Sequence, residues 1–268
     1  MNKLLTLAVF SLREILAAPA YRALIASTVV IGIGAMAISN LFLLETIKVE
    51  LDFLWLGMSL LATVYMLVVA VGLLAQDFTQ GIAYLFLPHM SRQTYLLARI
   101  SGIVAGLLLL LALMMLVATA TVAWGLHHTP AGQTHGITWW SPAILTGMAL
   151  LQSLTVLSIV IFTCSWASGL VEMILFSTVF TALAYLLPSV IQAMTSTEVM
   201  AQVPEWAAIL IHAVDYLFPD MTGAQMVLAV VHGLPVPSAA LVWFVISQVG
   251  YIMILSAVGF LIFVRRDL

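Results

Sequence analysis

One stretch of this chain constrains the rest: from Ile100 to Val171, 72 positions, there is no Asp, Glu, Lys or Arg. An α-helix rises about 1.5 Å per residue and a hydrocarbon layer is about 30 Å thick, so about 20 apolar residues make one crossing. The stretch is much longer than that, so it must cross, turn and cross again. The segment HHTPAGQTHGITWWSP, His127 to Pro142, provides the turn with its Pro, Gly and His residues. Trp139 and Trp140 within it suit a membrane–water interface.

The whole chain shares this character. It is 64% hydrophobic and 7% charged, whereas a soluble domain carries about 25% charged residues. The apolar runs are continuous and do not alternate, which excludes a β-barrel and leaves an all-α polytopic membrane protein. The single cysteine, Cys164, lies inside an apolar run and can form no internal disulfide.

Six spans are predicted, over about 22–44, 53–75, 100–125, 143–166, 170–193 and 239–264. Glu45, Lys48, Glu50 and Asp52 are expected in a loop between the first two. Ser165 to Gly169 forms a tight turn, and Pro188 is expected to kink the fifth span. Residues 194–238, punctuated by Glu198, Glu205, Asp215 and Asp220, are too broken to span and suggest small interfacial helices.

The start, MNKLLTLAVFSLREILAAPA, imitates a signal peptide, but Arg13 and Glu14 interrupt it before any cleavage site. Leu5, Val9, Leu12 and Leu16 recur at helical spacing, so the expectation is an amphipathic interfacial helix ended by Pro19. With six spans, Lys3, Arg13, Arg22, Arg92, Arg99, Arg265 and Arg266 share one side, and Lys48 alone lies on the other. The positive-inside rule then puts both termini in the cytoplasm.

On the same cytoplasmic side lies the stretch 76–99, between spans two and three. Ser91 is positioned as an N-cap for a helix RQTYLLAR, whose Arg92 and Arg99 lie two turns apart as a basic flank, with Tyr95, Leu96 and Leu97 available for packing. A helix lying flat there would be a handle for a partner. The chain has no phosphate-binding loop, since neither Lys3 nor Lys48 follows a Gly-rich turn. ATP and Mg would have to be bound by another subunit, and this chain is expected to hold no cofactor and to be no enzyme.

The pattern Asp77, Gly81, Leu85, Pro88, Ser91, Arg92, Arg99, Gly102 resembles the cytoplasmic loop of type-2 ABC exporter permeases. Ile82 stands where that family usually has Thr, Arg99 where it has Lys, and two residues separate Pro88 from Ser91 where it has one. The ending FVRRDL and the sequence Tyr216 to Asp220 are similar to features of permeases serving multicopper-enzyme or nitrous oxide reductase maturation. The resemblance implies a dimer of such permeases, homo- or heteromeric, each with six spans and a cytoplasmic coupling helix, in the bacterial inner membrane. A soluble ABC ATPase would grip Asp77, Gly81, Pro88, Ser91, Arg92, Tyr95 and Arg99.

Elsewhere, Gly102 and Gly106 form a small-xxx-small pair suited to close helix packing, within the subunit in preference to between subunits. Glu172, just inside span five, is a candidate polar intramembrane site, read as a hydrated or arginine-paired carboxylate. Gln152, Ser153, Thr155, Ser158, Ser247 and Gln248 are read as bonds between helices. His127, His128, His135, His212 and His232 with 14 methionines invite a copper reading, but no histidine pair has i,i+4 spacing and no metal site is assigned. The functional expectation is an exporter permease driven by a separate ATPase. The alternative is a membrane assembly factor that acts on an outer-face protein, as in metalloenzyme maturation. Lipids are expected partners and nucleic acid is not.

Overall fold

The computed structural model describes residues 3–42, 45–79, 90–129, 134, 136–194, 204, 206–207, 209, 221, 223–236 and 238–265. Among them every regular element is helical. In order these are α1 (Lys3–Ala17), α2 (Pro19–Ser39), α3 (Thr46–Val64), a π-helical segment (Tyr65–Ala70) and α4 (Val71–Thr79). They are followed by α5 (Arg92–His128), α6 (Ser141–Trp166), α7 (Leu170–Met194), α8 (Ala224–Val231) and α9 (Ser238–Arg265). Six helical stretches are long and apolar enough to cross a membrane: α2, the unbroken run from α3 into α4, α5, α6, α7 and α9.

Proline sets several boundaries. Pro19 opens α2 and Pro142 lies in the first turn of α6, where a missing N–H leaves no bond unmade. Pro188 lies inside α7, which continues to Met194.

The longest helix, α5, is the spine. α1 and α2 run along it one after the other in the same direction. Leu7 packs with Tyr95 and Ala98, Ser11 lies against Gly102 and Ile15 against Gly106. The Tyr21 hydroxyl then donates to Gly106 O at 2.9 Å, and Gly32 faces Val117. α3 returns in the opposite sense, with Ile47 beside Gly125 and the Tyr65 hydroxyl donating to Ile103 O at 2.7 Å. α6 shares the centre with α3, while α9 exposes Val242, Trp243, Ile246, Met253 and Ile254. That is the pattern of helices at the rim of a lipid-facing bundle.

Two sequence expectations change here. Lys48, Glu50 and Asp52 are not in a loop; they lie in the first two turns of α3. Ile47, Leu51, Leu54 and Met58 form one buried face there, and that periodicity carries the helix through the charges. Likewise RQTYLLAR is no separate flat helix but the opening of α5, a single helix of 37 residues, about 55 Å long. No proline intervenes to end it. α1, which ends before Pro19, packs on the rest of the chain through Leu7, Ser11 and Ile15. Leu5, Val9 and Leu16 of the expected stripe are exposed. Most of 194–223, including Tyr216 to Asp220, lies outside the described residues.

Candidate functional site

Among the described residues, the most concentrated polar chemistry is built where α1, α4 and the start of α5 meet. Arg99 is its hub. Its Nη2 donates to Asp77 Oδ1 at 2.5 Å, and its Nη1 donates to Glu14 Oε2 at 2.7 Å and to Ser11 Oγ at 3.1 Å. Its Nε approaches the Tyr95 hydroxyl at 3.4 Å. One turn separates Tyr95 from Arg99 on α5, which lets the guanidinium lie 5.9 Å from the ring centroid, within cation–π range. The Arg99 and Asp77 side chains are each 1% exposed, whereas Glu14 is 34% exposed.

Burial of this kind is tolerated only because the charges are paired, and the planar guanidinium serves several acceptors at once. Ser11 helps by being small. A Cβ at Gly102 would lie 2.5 Å from Ser11 Cβ and 3.1 Å from Ala8 O, so glycine is what allows α1 to approach. Gly106 does the same one turn later, where a Cβ would come within 2.5 Å of the Tyr65 hydroxyl. Both glycines therefore serve packing inside the subunit.

Of the residues singled out from sequence, Asp77, Tyr95 and Arg99 converge on this cluster. Their side chains are turned into the protein. Ser91 caps α5, its Oγ accepting from Thr94 N at 3.2 Å, and it is exposed. Arg92 is half-buried and its Nη1 reaches Val264 O in the last turn of α9 at 3.4 Å, a favourable place for a cation. Gly81 and Pro88 lie outside the described residues. In the sequence, Glu14 stands out only as a charge that interrupts a signal-peptide pattern, and Ser11 does not stand out at all. Their signal was the spacing Leu7, Ser11, Ile15, which aligns a polar residue with a buried stripe and puts Glu14 on its edge.

Glu172 lies apart from the cluster. It is exposed, and its Oε2 accepts from Ser168 N and Ser168 Oγ at 3.0 Å each and from Gly169 N at 3.3 Å. It therefore closes the otherwise unpaired N–H groups at the start of α7. Of the polar residues expected to bond between helices, Ser153, Ser158 and Ser247 instead donate to Ala149 O, Thr155 O and Phe244 O of their own helices, whereas others do cross between elements. Thr155 donates to Gln248 Oε1 at 2.5 Å, Thr163 and Ser177 share a 2.6 Å bond, and Gln152 Nε2 donates to Met221 O. Among the described residues no group of three His, Cys, Asp or Glu could hold a metal. Comparison with family models and with curated proteins finds no match to this chain.

Proposed function

We propose that this chain is the membrane subunit of an ATP-driven exporter, powered by a separate soluble ATPase and working as a pair of such subunits. The observation that supports this reading is the Asp77–Arg99–Glu14 cluster. Asp77 and Arg99 flank the stretch 78–98, which contains the segment likened to a coupling loop. Glu14 ties the same point to α1, and α1 leads directly into α2. A force applied between Asp77 and Ser91 would therefore reach four helices through a buried ionic joint with little slack. Ser91 and Arg92, at the accessible start of α5, are the contacts offered to the ATPase; Tyr95 and Arg99 transmit from beneath.

The test is mild detergent extraction of tagged full-length protein, followed by mass spectrometry of what remains bound. A stoichiometric soluble ATPase is the expected result, weakened by Arg92→Glu. Recovery of the chain with only copies of itself would overturn the reading.

A further inference from the structure

A second buried charge lies at the opposite end of α5 from Arg99, and the exporter reading does not use it. Glu50, in the second turn of α3, is 3% exposed, and its Oε1 has no hydrogen-bond partner. Its Oε2 faces Gly125 of α5, where a Cβ would lie 3.3 Å away, and Thr121 reaches it with a side-chain hydrogen bond. Thr121 Oγ1 also lies 3.0 Å from Ala118 O, to which it donates. A hydroxyl has one proton. That proton is contested between Ala118 O and the carboxyl, so Thr121 cannot fully satisfy Glu50 and its oxygen keeps lone pairs beside it.

Thr121, Gly125 and Thr129 follow one another at i,i+4 along α5, opposite Thr46 and Glu50, also i,i+4, on α3. Thr46 and Thr129 meet at 3.4 Å, half-buried. The Thr46–Thr129 hydroxyls thus lie about one helical turn nearer the helix ends than Glu50, whose carboxyl group has no counter-charge among the described residues.

The other charged groups at this end pair with one another or are exposed. On α3, Lys48 is paired with Glu45 at 2.6 Å, and this hydrogen bond holds the Glu45 carboxylate below its ordinary range; Asp52 is exposed. On α5, His127 and His128 are exposed, and His128 Nδ1 lies 2.8 Å from Trp124 O. His232, after α8, acts on Glu45 and Asp52. Among the described residues no Lys, Arg or His is hydrogen-bonded or ion-paired to Glu50.

We propose that Glu50, with Thr121 and the Thr46–Thr129 pair above it, is a binding site for a single monovalent cation, either a proton or a small alkali ion. A buried carboxylate is costly until its charge is neutralised, and an orphan acceptor beside hydroxyl oxygens suits a hard monocation. The site has too few carboxylates for a divalent ion.

Thermal unfolding of the full chain in detergent tests this, in sodium chloride against choline chloride at constant ionic strength, and in a separate pH series. By linkage, each tenfold rise in free cation above its dissociation constant multiplies the folding equilibrium constant about tenfold. Glu50→Gln removes that dependence. A sodium response lost in E50Q identifies an alkali ion. A loss of wild-type stability relative to E50Q as pH rises, without a sodium response, identifies a proton. Identical responses in the two proteins overturn the proposal. Should E50Q fail to fold, wild-type protein is treated with dicyclohexylcarbodiimide and the modified peptide mapped. Labelling at Glu50 that sodium suppresses, or that declines with rising pH, supports the site. Labelling indifferent to both, or none at Glu50, refutes it.

Discussion

Replacing Arg99 with Met tests the ionic joint most directly. The side chain is about the right length to fill the space, so the change removes charge and leaves packing nearly intact. What remains is Asp77, 1% exposed, stripped of its 2.5 Å partner, with its other oxygen, Oδ2, already unpartnered. Breaking a buried pair in this way costs about 3–5 kcal/mol. The complementary change, Asp77→Asn, is milder because Arg99 keeps Glu14 at 2.7 Å and Ser11 at 3.1 Å; about 1–3 kcal/mol is expected. Glu14→Gln should be smaller still, about 1 kcal/mol or less, since a third of that side chain faces solvent. The double variant D77N/R99M leaves no fully buried charge stranded, only the part-exposed Glu14 without its partner, and should recover part of the R99M loss, with a coupling energy of about 0.5–3 kcal/mol. The assay is reversible denaturation of purified protein in mixed micelles, read by circular dichroism for all four members of the cycle. An R99M loss no larger than that of D77N, or strict additivity in the double variant, would refute the argument that Arg99 is the hub.

Two further outcomes are expected. Gly106→Ala places a methyl group 2.5 Å from the Tyr65 hydroxyl and should displace its bond to Ile103 O, lowering stability by about 1–3 kcal/mol; unchanged thermal unfolding would contradict the packing assigned to Gly106. Glu172→Gln should speed hydrogen exchange at the Ser168 and Gly169 amides, because a neutral amide caps them less well than a carboxylate; unaltered exchange at both would show that the cap is incidental.

The six-span alternation is legible in the sequence because charge is excluded from hydrocarbon and the apolar runs are long. The joint is legible only in part. Asp77 and Arg99 attract notice as charges flanking a loop, but nothing local says that they point at each other, because pairing depends on how α4 and α5 pack. Glu50 illustrates the opposite hazard. Next to Glu45, Lys48 and Asp52 it reads as one more loop charge. Its spacing from Ile47 and Leu54, three and four residues, places it on the buried face of α3 once that segment is taken as helix. Charge suggested a loop and periodicity suggested a helix, and the structure follows periodicity. Arg99 is hidden for a related reason: two basic residues two turns apart suggest a surface, yet Gly102 lets α1 pack over Arg99, while Arg92 stays half-buried.

The π-helical segment Tyr65–Ala70 bears on how that joint is aimed. In an α-helix each residue advances about 100°, so the twelve steps from Tyr65 to Asp77 would leave the two side chains about 120° apart. Yet both address α5, Tyr65 at Ile103 O and Asp77 at Arg99. A π turn accommodates about one surplus residue without leaving the helix. The remaining eleven steps amount to three turns and about 20°, which brings the two side chains back into phase. The wide turn thus works as a phase corrector. Removing a single residue between Tyr65 and Ala70 would let the segment relax into α geometry with Tyr65 and Asp77 still aligned, whereas the same deletion within α4 would swing Asp77 about a quarter-turn away from Arg99.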